Sequence, residues 1–313
     1  MSGPSVAVID IGSNSIKLLV AHRTPDGHVS ARLSRTLDAR ISAGISRSAP
    51  QLSEEGMDRG QTAIQTLLAD AGPFAPARIV LVATSAVRDA RNGADFIARV
   101  RAFTGHTLRI LTGDEEANLI GRGLTCDPAL IALRDFYVFD LGGGSLECLS
   151  FRDRRITRAV SLQLGCVRLT EKFVADPSAP FAEPAASAIA SHIRAALAAS
   201  DFAFSLPPAA VAVGLGGTVT TARAILAARA GATLEQTDSL VTLADLRALL
   251  AWLGALPLAP RQQIPGLPAA RADVFPTALA TVIALAEIGG FSAYRNSLHN
   301  LRYGLAAEAL DAR

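Results

Sequence analysis

Two stretches of this chain set carboxylates beside glycine and serine in the same order. Asp140-Leu-Gly-Gly-Gly-Ser145, followed by Glu147, closes the apolar run Phe136 to Phe139. Gly142, Gly143 and Gly144 carry no Cβ, so their backbone N–H groups can approach an anion and cradle a phosphate. Asp140 and Glu147 flank that cradle, and carboxylates beside a phosphate are what a hard cation such as Mg2+ takes as ligands. The pattern also stands 130 residues upstream, as Asp10-Ile-Gly-Ser-Asn-Ser15. Each aspartate has a blander alternative as the cap of a hairpin turn, and duplication at equivalent positions argues against it. Glu147 reads as a strand residue, where an inward carboxylate is costly without a cation. Its alternation with Ser145 and Leu149 leaves its face open.

A third candidate is Glu116. Thr112 and Glu115 have capping-box spacing, which gives Glu115 the task of bonding back to the cap. Glu116 lies about 100° further round the helix and lacks that task. A carboxylate in the first turn sits in the positive field of the helix N-terminus, which favours its ionised form. The bland alternative is that both are good first-turn acids. Arg88, close to a strand end, offers a forked cation for phosphate oxygens, or else an ion pair with Asp89 or Asp95. Gly214-Leu-Gly-Gly-Thr218 reads either as a tight strand-to-helix turn or as a further anion site. His22, His28, His106, His192 and His299 do not cluster and read as surface or structural.

The elements that must position these groups alternate strand and helix. Strands are expected at Val6–Asp10, Ile16–Val20, Val29–Ile41, Ile79–Ala83 and Thr107–Leu111. Ser42–Gln51, with Gly44 and Pro50, reads as a loop. A helix capped by Ser53 should end at Gly72-Pro73, and further helices should span Asp95–Phe103 and Asp114–Leu124. After these, strands fall at 135–141, 145–151, 154–161 and Val211–Gly214. Helices fall at Cys166–Ala175, 184–199, Thr218–Ala230, from Thr242 to Leu253, Arg271–Ile288 and Asn300–Leu310. Pro257–Pro268 reads as a loop. Val167, Leu169, Phe173 and the apolar residues of 274–288 read as core.

Composition sets outer limits. The 313 residues suit two domains, each with its own core. A net charge of +2 does not announce a nucleic-acid binder, although 28 of the 30 basic residues are Arg, leaving only Lys17 and Lys172. Arginine suits a polyanion; a coding bias accounts equally for most of them. Three cysteines, Cys126, Cys148 and Cys166, without Cys-x-x-Cys spacing argue against a disulfide framework or a zinc site. A reducing cytoplasm fits. The start shows no export signal, and Val274–Ala286 is too short to span a bilayer.

Six motifs in order resemble the exopolyphosphatase and guanosine pentaphosphate phosphohydrolase (Ppx/GppA) family of the actin/hexokinase/Hsp70-type superfamily. They are Ile9-Asp-Ile-Gly-Ser-Asn-Ser15, Ala83-Thr-Ser-Ala-Val-Arg88, Thr112-Gly-Asp-Glu-Glu-Ala117, Asp140–Ser145 with Glu147, Gly165-Cys-Val-Arg168 and Gly214–Thr218. The resemblance implies an α/β fold of two duplicated actin-like, ribonuclease H-like domains with an interdomain cleft. The first domain would span 1–124 with a returning C-terminal helix at 300–313, the second 125–299. It implies a phosphoanhydride hydrolase acting on inorganic polyphosphate, with guanosine pentaphosphate (pppGpp) as the alternative. Glu116 would activate water, with Arg88 as second catalytic residue. Ser13, Asn14, Gly143, Gly144, Ser145, Gly216, Gly217 and Thr218 would hold phosphate. Mg2+ would sit on Asp140, Glu147 and Asp10, with Mn2+ or a monovalent cation as further candidates. No nucleic acid or membrane partner is expected, and a homodimer is. Less favoured readings are a superfamily kinase and a non-enzymatic nucleotide-binding protein. The family's C-terminal signature departs here at Asn300 and Tyr303, while Arg302 and Gly304 match it. The resemblance also implies that longer relatives carry a further helical domain, which is expected to be missing here.

Overall fold

In the computed structural model the chain is described over residues 4–42, 50–207 and 210–312. Most of the loop expected over Ser42–Gln51, Gly44 included, lies outside the described residues. The elements in order are β1 (Ser5–Ile11), β2 (Ser15–Arg23), β3 (Val29–Asp38), α1 (Glu54–Ala71), β4 (Arg78–Ala83), α2 (Ser85–Asp89), α3 (Gly93–Thr104), β5 (Leu108–Ile110) and α4 (Gly113–Thr125). They continue with β6 (Phe136–Leu141), β7 (Leu146–Arg152), β8 (Arg155–Leu162), α5 (Cys166–Phe173), α6 (Glu183–Ala198), β9 (Val211–Leu215), α7 (Gly216–Arg229), β10 (Leu240–Thr242) and α8 (Leu243–Gly254). The last are α9 (Leu258–Arg261), α10 (Phe275–Gly289), β11 (Ala293–Asn296) and α11 (Leu301–Asp311).

The chain divides into two compact units, Met1–Ile131 with His299–Arg313 and Ala132–Leu298. The first holds a sheet in the order β3-β2-β1-β4-β5, the second one in the order β10-β11-β9-β6-β7-β8. In each, a three-stranded antiparallel meander continues into parallel strands: β1 pairs with β4 as β6 pairs with β9. These are the two duplicated actin-like domains; β10 is an extra edge strand of the second. Each sheet supports its own core. Ile9, Ile11, Leu18, Val20, Ile64, Leu67 and Phe96 pack in the first unit. Phe139, Cys148, Leu169, Leu249, Phe275 and Leu279 pack in the second.

Local chemistry fixes the helices that matter. Ser53 accepts from the Gly56 N–H and caps α1, with Glu54 and Glu55 in its first turn. Asn300 caps α11 by accepting from the Arg302 N–H, so the departure at this position supplies an N-cap. Gly304 lets α11 cross α4 closely: a Cβ there would meet Leu119 O at 2.0 Å, and one on Gly123 would meet Asn300 O at 2.0 Å. Arg302 is buried and donates from Nη1 to Leu18 O of β2 at 2.9 Å.

Three expectations are corrected. Arg88, close to the end of β4, lies in the short helix α2; Gly216 and Gly217 form the first turn of α7 instead of preceding it. α10 begins at Phe275; Arg271 closes a 3-10 turn, Ala269–Arg271, and Pro276 near the helix start fits where no intrahelical N–H is needed. Pro257–Pro268 contains α9. Among the described residues no helix is long and apolar enough to cross a membrane.

Candidate active site

In the first unit the predicted residues gather at the carboxyl ends of the parallel strands, where open α/β sheets present ligand sites. The β1–β2 turn is closed by the Gly12 N–H donating to Ser15 O (3.2 Å). Ser13 O accepts from the Ser42 N–H, and Asn14 O accepts from the N–H groups of Ala39 (3.1 Å) and Arg40 (2.8 Å). In a trans peptide the N–H points opposite to the C=O. The N–H groups of Asn14 and Ser15 are therefore directed away from segment 39–42. Ser13 Oγ lies 3.3 Å from Ser85 Oγ, the first residue of α2. Asp10 stands directly across the ladder from Lys17. It is 8% exposed, and among the described residues its Oδ1 has no hydrogen-bond partner. Burial pushes its carboxyl above the ordinary carboxylate value, with the charges of Lys17 and Arg302 pulling against that shift.

Glu116 and Arg88 meet. Arg88 Nη1 donates to Glu116 Oε2 and to Leu111 O, both at 2.9 Å, and its Nε is 3.6 Å from Asp89 Oδ1. The ion pair with Asp89 that the sequence allowed is thus present, alongside one to Glu116. The capping box at Thr112 and Glu115 forms. Its bonds, with help from Arg109, hold the Glu115 carboxyl below its usual value. Glu116 takes no part in that box and is 5% exposed, while Glu115 faces solvent.

In the second unit the β6–β7 turn repeats the first. The Gly142 N–H donates to Ser145 O at 3.0 Å. Gly142 O and Gly143 O accept from the first N–H groups of α5, those of Cys166 and Val167, each at 2.9 Å. Gly144 O accepts from Arg168 Nε at 3.1 Å. By the same peptide geometry, the N–H groups of Gly143, Gly144 and Ser145 point away from α5. Three successive N–H groups so aimed make an anion-binding concavity. Gly165 permits the packing, since a Cβ there would meet Gly143 O at 2.2 Å.

Asp140 and Glu147 are direct cross-strand partners, which puts both carboxylates on one face of the sheet. Glu147 is 2% exposed, and its Oε1 accepts from Ser161 Oγ at 2.8 Å. Asp140 Oδ1 lies where a Cβ on Gly216 would be, at 2.2 Å, and Gly216 has φ +71°. Arg271 crowds Gly217: a Cβ there would meet its Nη1 at 1.7 Å. Arg271 also opposes the burial that pushes the Cys166 thiol upward. Thr218 is fully buried, and its Oγ1 has no partner among the described residues.

The donor set suits Mg2+. Among the described residues no three His, Cys, Asp or Glu side chains form a metal-holding group. Mg2+ bound with phosphate needs no such cage, since it takes one or two carboxylates, substrate oxygens and water. The Asp140–Glu147 pair of the second unit offers that.

The sequence reading gave no role of their own to Lys17, Ser85, Arg168 and Arg271. Ser85 and Arg168 lie within two of the motifs that carry the resemblance, and Lys17 holds the position in the first repeat that Glu147 holds in the second; Arg271 left no signal.

Twin hairpins, each setting an acid beside turn N–H groups aimed away from the segment that supports the turn, fit a phosphate-handling enzyme of the duplicated actin-like class. The sequence matches the Ppx/GppA phosphatase family over residues 7–312. The chain belongs to that family and is accordingly a phosphohydrolase of the polyphosphate or pppGpp kind. Its structure is similar to the Ppx/GppA family member of Aquifex aeolicus (24% identity, 98% of this chain and 97% of that one, TM-score 0.78). It is also similar to an exopolyphosphatase from Cytophaga hutchinsonii (24% identity, 98% of each chain, TM-score 0.88). A third likeness is to an exopolyphosphatase-like protein (21% identity, 98% and 97% covered, TM-score 0.86). At these identities the likenesses show the fold.

Proposed function

We propose that this protein is an exopolyphosphatase that hydrolyses the terminal phosphoanhydride of inorganic polyphosphate and releases orthophosphate. The observation that carries the reading is Glu116: a buried carboxylate at the head of α4, relieved of capping by Glu115 and gripped by Arg88. Glu116 orients a water and accepts its proton as the water oxygen bonds to the terminal phosphorus. The bond from phosphorus to the bridging oxygen breaks, and that oxygen becomes the new chain end. The N–H groups of Gly143, Gly144 and Ser145, with Ser13 and Asn14, hold phosphate oxygens. Arg88 keeps Glu116 in place and supplies positive charge beside it. Asp140 and Glu147 would hold Mg2+, which when bound neutralises non-bridging oxygens. Phosphoryl transfer asks for little beyond such positioning and charge neutralisation.

Glu116→Gln keeps the shape and the Arg88 contact but removes the base. Phosphate release from polyphosphate should fall by roughly 10²–10⁴; a loss under tenfold would remove Glu116 from that role. Release without ADP separates hydrolysis from a kinase. Parallel kcat/KM values on polyphosphate and pppGpp test the substrate; a higher value for pppGpp would replace the first choice by the second.

A further inference from the structure

The far end of the second unit's hairpin carries charge that the active-site reading does not use. Asp153 and Arg154 join β7 to β8 in a two-residue turn with φ +49° and +60°. Positive φ at both central residues is the type I′ hairpin pattern, normally left to Asn and Gly. Here other contacts hold it. Arg154 donates from N to Arg134 O (2.9 Å) and from Nη1 to Leu133 O (3.0 Å), and Asp153 takes both Nε and Nη2 of Arg134. So tight a turn sets Arg152 directly opposite Arg155 across the ladder. Arg158 pairs with Ser150, two residues before Arg152 on β7; a register shift between Ser150 and Phe151 leaves Thr157 as an extra residue of β8, so the three-residue step from Arg155 to Arg158 keeps to one side of the ladder.

All three arginines are exposed, and among the described residues none forms an ion pair with an acid. Like charges directly opposite each other destabilise a sheet. Guarding an edge strand with charge does not require that cost. On the corresponding edge strand of the first unit, β3, Arg35 stands opposite Leu18 and is paired with Asp70 at 2.6 Å, and no arginine faces another across the ladder. An uncompensated arginine triad instead suits a ligand with several negative charges in a row.

We propose that Arg152, Arg155 and Arg158 form a second, distal binding patch for inorganic polyphosphate, engaging a length of chain remote from the end being hydrolysed. The proposal rests on the exopolyphosphatase reading. β7 separates the patch from the triglycine turn by roughly 20 Å, at about 3.3 Å per residue. A short phosphate chain held at the turn does not reach it; a long one does. A nucleic acid fits less well, because single strands bind through aromatic stacking as well as charge. Phe151, the sole aromatic of this hairpin, is 1% exposed and stacks on Phe136 with ring centroids 4.5 Å apart.

The test compares the wild type with the triple variant Arg152→Ser/Arg155→Ser/Arg158→Ser on long-chain polyphosphate and on tripolyphosphate with Mg2+. Loss of three phosphate contacts should raise KM for the long chain by about tenfold or more and flatten its salt dependence. The kcat, and KM for tripolyphosphate, should stay unchanged. Replacing the same three residues by Lys should restore most of the long-chain affinity, which a folding defect would not allow. An unchanged long-chain KM overturns the proposal. So does an unchanged long-chain KM coupled to lost binding of single-stranded DNA, which would reassign the patch to nucleic acid. If the wild type releases no phosphate from either substrate, the exopolyphosphatase reading fails by itself. Direct titration of the full chain with long-chain polyphosphate, wild type against triple variant, then still decides the patch.

Discussion

The two hairpins β1–β2 and β6–β7 are built to one plan and differ at one decisive position. Each closes with a glycine N–H on a serine carbonyl, and each places an aspartate at the penultimate residue of the first strand. Directly across the ladder that aspartate meets Lys17 in the first unit and Glu147 in the second. One hairpin thus presents a carboxylate against an ammonium, the other two carboxylates. A carboxylate pair is stable beside a dication, whereas a pair that is already neutral does not need one. The backing of the turns differs too. Helix α5 receives the carbonyls of the second turn, and segment 39–42 receives those of the first. We read the second hairpin as the metal-binding copy and the first as the copy that faces substrate oxygens through Lys17 and the turn amides.

That contrast can be broken most decisively at the acid pair. Replacing both Asp140 and Glu147 by Ala should lower phosphate release by on the order of 10³ or more, because metal charge neutralisation contributes several kcal/mol. The single change Glu147→Gln keeps a partner for Ser161 and should mainly raise the Mg2+ concentration needed for half-maximal rate. Retained turnover in the double variant would mean that this hairpin is not the metal site.

A smaller effect is expected from Lys17→Met. Removing one charge-assisted contact costs about 1.5–3 kcal/mol, or roughly 10–100-fold in kcat/KM. The half-saturating Mg2+ concentration should not move. A variant that changes the metal requirement as strongly as Glu147→Gln would erase the distinction between the copies.

How far this was legible beforehand depends on range. The hairpins were readable because glycine and serine beside an aspartate mark the turn within a few residues. Glu116 was readable because the capping box assigns its neighbour a duty. Arg271 was not, since its contact with Gly217 joins residues more than fifty positions apart. Two glycines in a row argue against a helix by propensity, yet Gly216 and Gly217 begin α7. Asp140 and Arg271 occupy the space a side chain would need there. β10 and β11, of three and four residues, are too short for alternation to show. The 130-residue repeat sets Lys17 at the position of Glu147, but only the register shows that the two stand across the ladder from Asp10 and Asp140.

The smallest effect expected is one of stability, and it separates the aspartates. Burial raises the pKa of Asp10 in the folded state. The folded protein therefore keeps that proton to higher pH than the unfolded chain does. Stability falls as pH rises through the window between the ordinary carboxylate value and the raised one, and it stays reduced above that window. Asp10→Asn removes the ionisation while keeping the shape. Its melting temperature at pH 7 should exceed that of the wild type, and the gain should vanish once the pH falls below the ordinary carboxylate range, where Asp10 is protonated in both states. Activity should fall, as expected where a destabilised group serves function. If Asp10→Asn is instead less stable than the wild type at pH 7, attraction to Lys17 and Arg302 outweighs burial. Asp10 would then be a structural ion-pair partner, and the likeness between the two hairpins would end at their backbones.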